Sequence, residues 1–162
     1  MIIVIDDFLN DWEFKLVKEE IKKLKYYNGA DHPNHASSEK YPGIRTEEFI
    51  RVHPLLDSFI IKKLDTAGTI FTQRPYRAFN YGQLRIENDY KESRVHRDAA
   101  FDWAYTLYMS DTNLKSGTTM YESEDSDIED DNVFVKFVQN RIVLFDVTVP
   151  HMVWHAYGKD ID

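Results

Sequence analysis

Cysteine is absent from the 162-residue chain. That excludes disulfides, thiolate catalysis and Cys-ligated zinc or iron–sulfur sites, so any metal must sit on His, Asp or Glu. Positive charge is scarce. Lys and Arg number 20 against 28 Asp and Glu, a net charge of −8. This argues against general nucleic-acid binding, which needs clustered Lys and Arg for phosphate contacts. A local basic pocket for a small acidic substrate stays compatible with it. No stretch approaches the ~20 apolar residues of a membrane span. The opening MIIVIDDFL turns acidic after five apolar residues, without the basic start and longer apolar run of a signal peptide. The expectation is a soluble, intracellular (cytoplasmic) protein. Repeats and linkers are also missing, so the chain reads as one domain, 1–162. The acidic run SEDSDIEDD (123–131) lacks the D-x-D-x-D-G spacing of a calcium loop and reads as a mobile, self-repelling loop.

What is present is apolar and aromatic. Hydrophobic residues make up 43% and aromatics 14%, enough for one sizeable core. Residues 2–5 (IIVI) read as a strand. Asn10 or Asp11 can cap a helix to about Lys25, with Phe14, Val17, Ile21 and Leu24 as its apolar stripe. Residues 28–46 read as loop, and Pro54–Thr66 as a second helix with Leu55, Phe59, Ile60 and Leu64 on one side. Beyond residue 66 the segments are short, aromatic and β-branched: TIFTQRPYRAFNYGQLRI, AFDWAYTLYMS, GTTMYE, NVFVKFV, NRIVLFDV and HMVWHAY. These predict strands. The fold class is α+β and mainly β: a helical part over 1–66, then a double sheet or jelly roll over 67–162.

The chemistry concentrates in Val95-His96-Arg97-Asp98. In a strand, residues i and i+2 share a face, so His96 and Asp98 can reach one metal. A third ligand must come from elsewhere. The candidate stands 55 residues on, where NRIVLFDVTVPH ends at His151. Two His and one carboxylate on one octahedral face leave three positions open, which suits iron(II). Zinc favours a tetrahedral site with one open position. His155 is a rival third ligand. Against this stands a plainer reading, in which His96 merely pairs with Asp98 or caps a turn.

With these residues in view, the chain resembles the 2-oxoglutarate- and iron(II)-dependent oxygenases, in the prolyl-4-hydroxylase-like branch. The resemblance rests on His96-Arg97-Asp98 followed by NRIVLFDVTVPHMV, and on five flanking pieces: IVIDDFL before a helix, YPGIRT (41–46), FNYGQ (79–83), YTLYMSD (105–111) and KSGTTMY (115–121). It implies a double-stranded β-helix (jelly roll, cupin-like) with the N-terminal helices packed on it. It implies an Fe(II) site on His96, Asp98 and His151. It also implies 2-oxoglutarate and O2 as cosubstrates, with succinate and CO2 released as a substrate C–H is hydroxylated. Retention of Asp98 favours hydroxylation over halogenation. The substrate class stays open between a small molecule and a protein side chain.

One family feature is displaced. The cation that binds the far carboxylate of 2-oxoglutarate normally follows the distal His by roughly ten residues. Here Val153 to Asp162 offers only Lys159, and Arg85 in the QLRI segment is the alternative. Tyr81, Tyr105 and Thr118 are further cosubstrate-binding candidates, set against the plainer role of core residues with satisfied hydroxyls. His32 and His35 read as loop or lid residues, and Trp103 and Trp154 as core or pocket lining. The competing functions are a cupin-like metal enzyme that does not use 2-oxoglutarate, and a non-catalytic jelly-roll binding module.

Overall fold

Alternating or continuous apolar runs form strands in this chain wherever a partner can cover one face. The computed structural model describes residues 1–28, 31–33, 43–68, 80, 82–84, 95–98, 102–125 and 132–154. Among these the architecture is mixed α/β, every strand pairing is antiparallel, and no sheet closes into a barrel. Two compact units emerge, Met1–Leu16 with Arg85–Asp162, and Val17–Leu84.

The strand-rich unit holds two three-stranded sheets. In the first, β7 (Ile142–Asp146) lies between β1 (Ile2–Ile5) and β4 (Trp103–Leu107). IVLFD takes the central place because four of its five residues are apolar and buried, as a strand covered on both faces requires. In the second, β5 (Asn113–Met120) lies between β6 (Val133–Phe137) and β8 (His151–Trp154). Both sheets contribute to one apolar cluster. Val143 and Phe145 of β7, Met120 of β5, Val135 of β6 and the adjoining Tyr108 form it, with Ile2, Ala104, Phe137 and Val149 packed against them. Burying such side chains contributes about 1.5–3 kcal/mol each relative to exposure.

The start of α1 (Asp11–Lys22) is fixed by a reciprocal cap. The Glu13 N–H donates to Asn10 Oδ1 at 3.0 Å, and the Asn10 N–H to Glu13 Oε2 at 3.1 Å. Asn10, not Asp11, is therefore the cap. Just before it, Asn140 ties the chain to the β6–β7 turn. Its side chain accepts from the Leu9 N–H (3.0 Å) and donates to the Leu9 C=O (2.6 Å), while its own backbone is left-handed, with φ of 62°.

The second unit contains β2 (Ile44–Arg45), α2 (Phe49–Val52), α3 (Pro54–Gly68) and β3 (Gln83–Leu84), with β2 pairing β3. β2 falls inside the segment expected to be loop. The buried stripe of α3 is Leu56, Ile60 and Leu64, while Leu55, expected on the buried side, is 81% exposed. The buried row runs i, i+4, i+8 through Leu56, and His53 caps the helix start, its Nδ1 accepting the Leu56 N–H at 3.1 Å. Buried Asp57 accepts from Asn80 Nδ2 at 2.8 Å, so that carboxylate is not left alone in the core. His32, expected to be loop or lid, is buried with its Nε2 3.0 Å from the Thr46 carbonyl. His35 lies outside the described residues.

Candidate metal centre

The site begins as backbone pairing. His96 and His151, the first residue of β8, face each other across an isolated antiparallel bridge. They exchange both hydrogen bonds: the His96 N–H donates to the His151 C=O at 3.1 Å, and the His151 N–H to the His96 C=O at 2.9 Å. Directly opposed residues of an antiparallel pair send their side chains to the same face, about 5 Å apart. The two imidazoles accordingly lie side by side, ring centroids 4.4 Å apart. Asp98, two residues beyond His96, rises from the same face.

The carboxylate turns one oxygen toward each ring. His96 Nε2 is 3.9 Å from Asp98 Oδ1, and His151 Nε2 is 3.7 Å from Asp98 Oδ2. Both separations are too long for hydrogen bonds. Adjacent donors around an octahedral ion stand about 3 Å apart when metal–ligand bonds are about 2.1 Å. All three ligand atoms lie within 4.8 Å of one another, and no other such grouping of His, Asp or Glu occurs among the described residues. The His–Asp separations exceed that spacing by about 0.7 Å or more, so the three side chains would have to close in to share one ion. Two neutral nitrogens and one anionic oxygen fit a first-row divalent ion. The three residues expected from the sequence are thus brought together, and the His96–Asp98 pairing of the plainer reading is also compatible with this placement, at ion-pair distance.

His151 is the anchored member. Its side chain is 8% exposed, against 38% for both His96 and Asp98, so the more open side of the site is theirs. β8 pairs His151 with Met120 of β5, and its ring packs on Phe145 at 4.6 Å between centroids. Burial holds the imidazole below the ordinary histidine range, with nearby His96 pushing the same way and the Val149 carbonyl and Asp98 opposing. The neutral form a metal needs is favoured. His151 Nδ1 lies 3.1 Å from the Val149 carbonyl oxygen. A carbonyl can only accept, so Nδ1 carries the proton and the Nε2 lone pair is left facing Asp98.

The cosubstrate candidates divide. Thr118 pairs with Val153 of β8 and lies two residues from Met120, the partner of His151. Alternation puts Thr118 and His151 on one face of the sheet. Its hydroxyl meets that of Tyr108 at 2.7 Å, in the buried core. Tyr108, whose ring stacks on Phe137 at 4.3 Å, was not among the residues singled out from the sequence. Its signal lay in YTLYMS, since an even offset from Ala104 predicts the same face once the strand is placed. Tyr105 is placed differently. It pairs with Leu144, whereas its neighbour Ala104 pairs with Phe145 on the cluster side. β4 thereby turns Tyr105 to the face opposite Phe145, away from His151. Trp103 is half-buried on β4. Tyr81, Arg85, His155 and Lys159 lie outside the described residues, and Trp154 is described only by its place in β8.

No protein-family model matches the chain, and no curated protein does. No helix among the described residues is long and apolar enough to cross a membrane.

Proposed function

We propose that this protein is a non-haem Fe(II)- and 2-oxoglutarate-dependent dioxygenase of the prolyl-4-hydroxylase-like kind, built on a jelly roll, that hydroxylates a C–H bond of its substrate. The observation that carries the reading is the convergence of one ring nitrogen each of His96 and His151 and a carboxylate oxygen of Asp98 within 4.8 Å. Its residues come from two segments that the backbone bridge joins. Supporting it are two antiparallel sheets sharing one core, and the order of sequence pieces described above.

In this reading His96 and His151 each give an Nε2 lone pair to the metal. Asp98 supplies the negative charge that retains a divalent cation and leaves one side of it open. The bound metal and cosubstrate supply the oxidation: O2 is consumed, 2-oxoglutarate leaves as succinate and CO2, and a substrate C–H becomes C–OH. The chain orients and shields. Phe145 and the cluster behind His151 keep one flank of the site apolar, and the more exposed His96–Asp98 side admits substrate. Thr118, on the same sheet face as His151, and Tyr108, whose hydroxyl meets it, offer a pair of hydroxyls suited to hydrogen-bonding a carboxylate. Arg85 and Lys159 are the candidate cations for the far carboxylate.

The test is anaerobic titration of the purified protein with Fe(II) and then 2-oxoglutarate. A weak visible charge-transfer band is expected, absent in His151→Ala and retained in His155→Ala. Iron binding without any band would replace this reading with a cupin-like metal enzyme that does not use 2-oxoglutarate. Failure to bind any divalent metal would leave a non-catalytic binding module.

A further inference from the structure

Resting on the metal site just described, we infer that Asp146 is a positioning residue for His151, acting through the turn between β7 and β8. The turn is Asp146-Val147-Thr148-Val149-Pro150. Asp146 Oδ1 accepts two hydrogen bonds, from the Thr148 N–H at 2.8 Å and the Thr148 hydroxyl at 2.6 Å. The Asp146 carbonyl accepts the Val149 N–H at 2.9 Å, closing a four-residue turn. The next peptide carries the carbonyl that holds His151 Nδ1.

That carbonyl is held from three sides. The turn fixes Val149 from behind. The Val149 side chain packs against the core cluster. Pro150 restricts the residue before it to extended conformations, and its own carbonyl accepts the Tyr121 N–H at 2.8 Å. The result is a relay of geometry: carboxylate to turn, turn to carbonyl, carbonyl to Nδ1–H, and Nε2 facing Asp98. Groups that hydrogen-bond the far nitrogen of a ligating histidine change metal affinity because they select the imidazole tautomer and its orientation. Two of the three supports belong to the core and to Pro150. Asp146, at the solvent edge, is the one that can be removed without opening the core.

The test compares wild type, Asp146→Ala, Asp146→Asn and Thr148→Ala at pH 8. Long-range proton–nitrogen correlation spectra of the metal-free protein report which His151 nitrogen carries the proton. The expected result is the Nδ1–H form in wild type and in Asp146→Asn, which keeps an acceptor oxygen. In Asp146→Ala a mixture of tautomers is expected, with cobalt(II) binding weakened about tenfold, the lower end of what losing such a support costs. Retention of the Nδ1–H form and of wild-type cobalt affinity in Asp146→Ala would overturn the inference. Thr148→Ala deletes only the hydroxyl bond and should shift both readouts in the same direction by less. It decides the matter if Asp146→Ala does not fold. A wild type that binds no cobalt would refute the proposed function, while the tautomer comparison would still judge the role of Asp146.

Discussion

Replacing Asn140 with alanine removes a side chain that acts as a piece of backbone. Its amide makes two buried hydrogen bonds to Leu9, at 3.0 and 2.6 Å. Its main chain makes two more, donating to the Tyr108 carbonyl at 2.8 Å and accepting the Phe8 N–H at 3.0 Å. The alanine loses the first two and leaves the buried Leu9 N–H and C=O without those partners, at about 1–2 kcal/mol each. It must also hold a φ of 62°, where Asn is tolerated and Ala is not, at roughly 1 kcal/mol more. The expected loss is about 3–5 kcal/mol. At 2–4 °C per kcal/mol for a chain of this size, the melting temperature should fall by about 10 °C. Urea unfolding should show a lower midpoint with an unchanged slope, because the surface exposed on unfolding is the same. Asn140→Gly relieves the φ cost but not the lost bonds, so it should be no worse than the alanine. A fall of less than about 3 °C in Asn140→Ala would refute the reasoning.

Gly117→Ala should destabilise by several kcal/mol, since its Cβ would collide with the Val135 carbonyl oxygen and press on the Phe134 ring; denaturant midpoints check this, and a neutral outcome would mean that β5 and β6 can separate there. Asp98→Ala should weaken cobalt(II) binding by at least tenfold while leaving the melting temperature within a few degrees, because the side chain is 38% exposed and its loss removes the only anionic ligand; calorimetric titration beside thermal unfolding separates the two effects. The lowered pKa of buried His151 has a defined sign: between its folded value and the unfolded value near 6.5 the unfolded chain binds the extra proton, so metal-free protein loses stability as pH falls below about 6.5. Melting scans between pH 7.5 and 5 should show that loss in wild type and less of it in His151→Gln. Tyr108→Phe keeps the stack on Phe137 but strands the Thr118 hydroxyl, at about 1–2 kcal/mol by chemical denaturation.

The sequence determined what is local. The reading of IIVI as a strand held, because period and β-propensity act over a few residues. So did the placement of strands around WAYTL, VFVKF, IVLFD and HMVW, and the helix beginning at Pro54. The three metal-ligand candidates were legible for a related reason: H-x-D carries its own geometry, and a Pro-His after an apolar strand marks a strand beginning. Tertiary pairing decided the rest. The bridge between His96 and His151 brings the three candidates together, and no spacing in the chain specifies which backbone atoms will bond across 55 residues. Register decided that Thr118 shares a sheet face with His151 while Tyr105 does not, since a one-residue shift exchanges the faces of a strand. Burial of Leu56 instead of Leu55 followed from what packs on α3, which amphipathic spacing alone leaves within one residue of uncertain phase. The turn at Asp146 shows both levels at once. D-x-T before Val-Pro-His is a local signal for a closed turn, yet only the folded chain brings its carbonyl to His151 Nδ1, because that contact needs the core that holds Val149 and the bridge that holds His151.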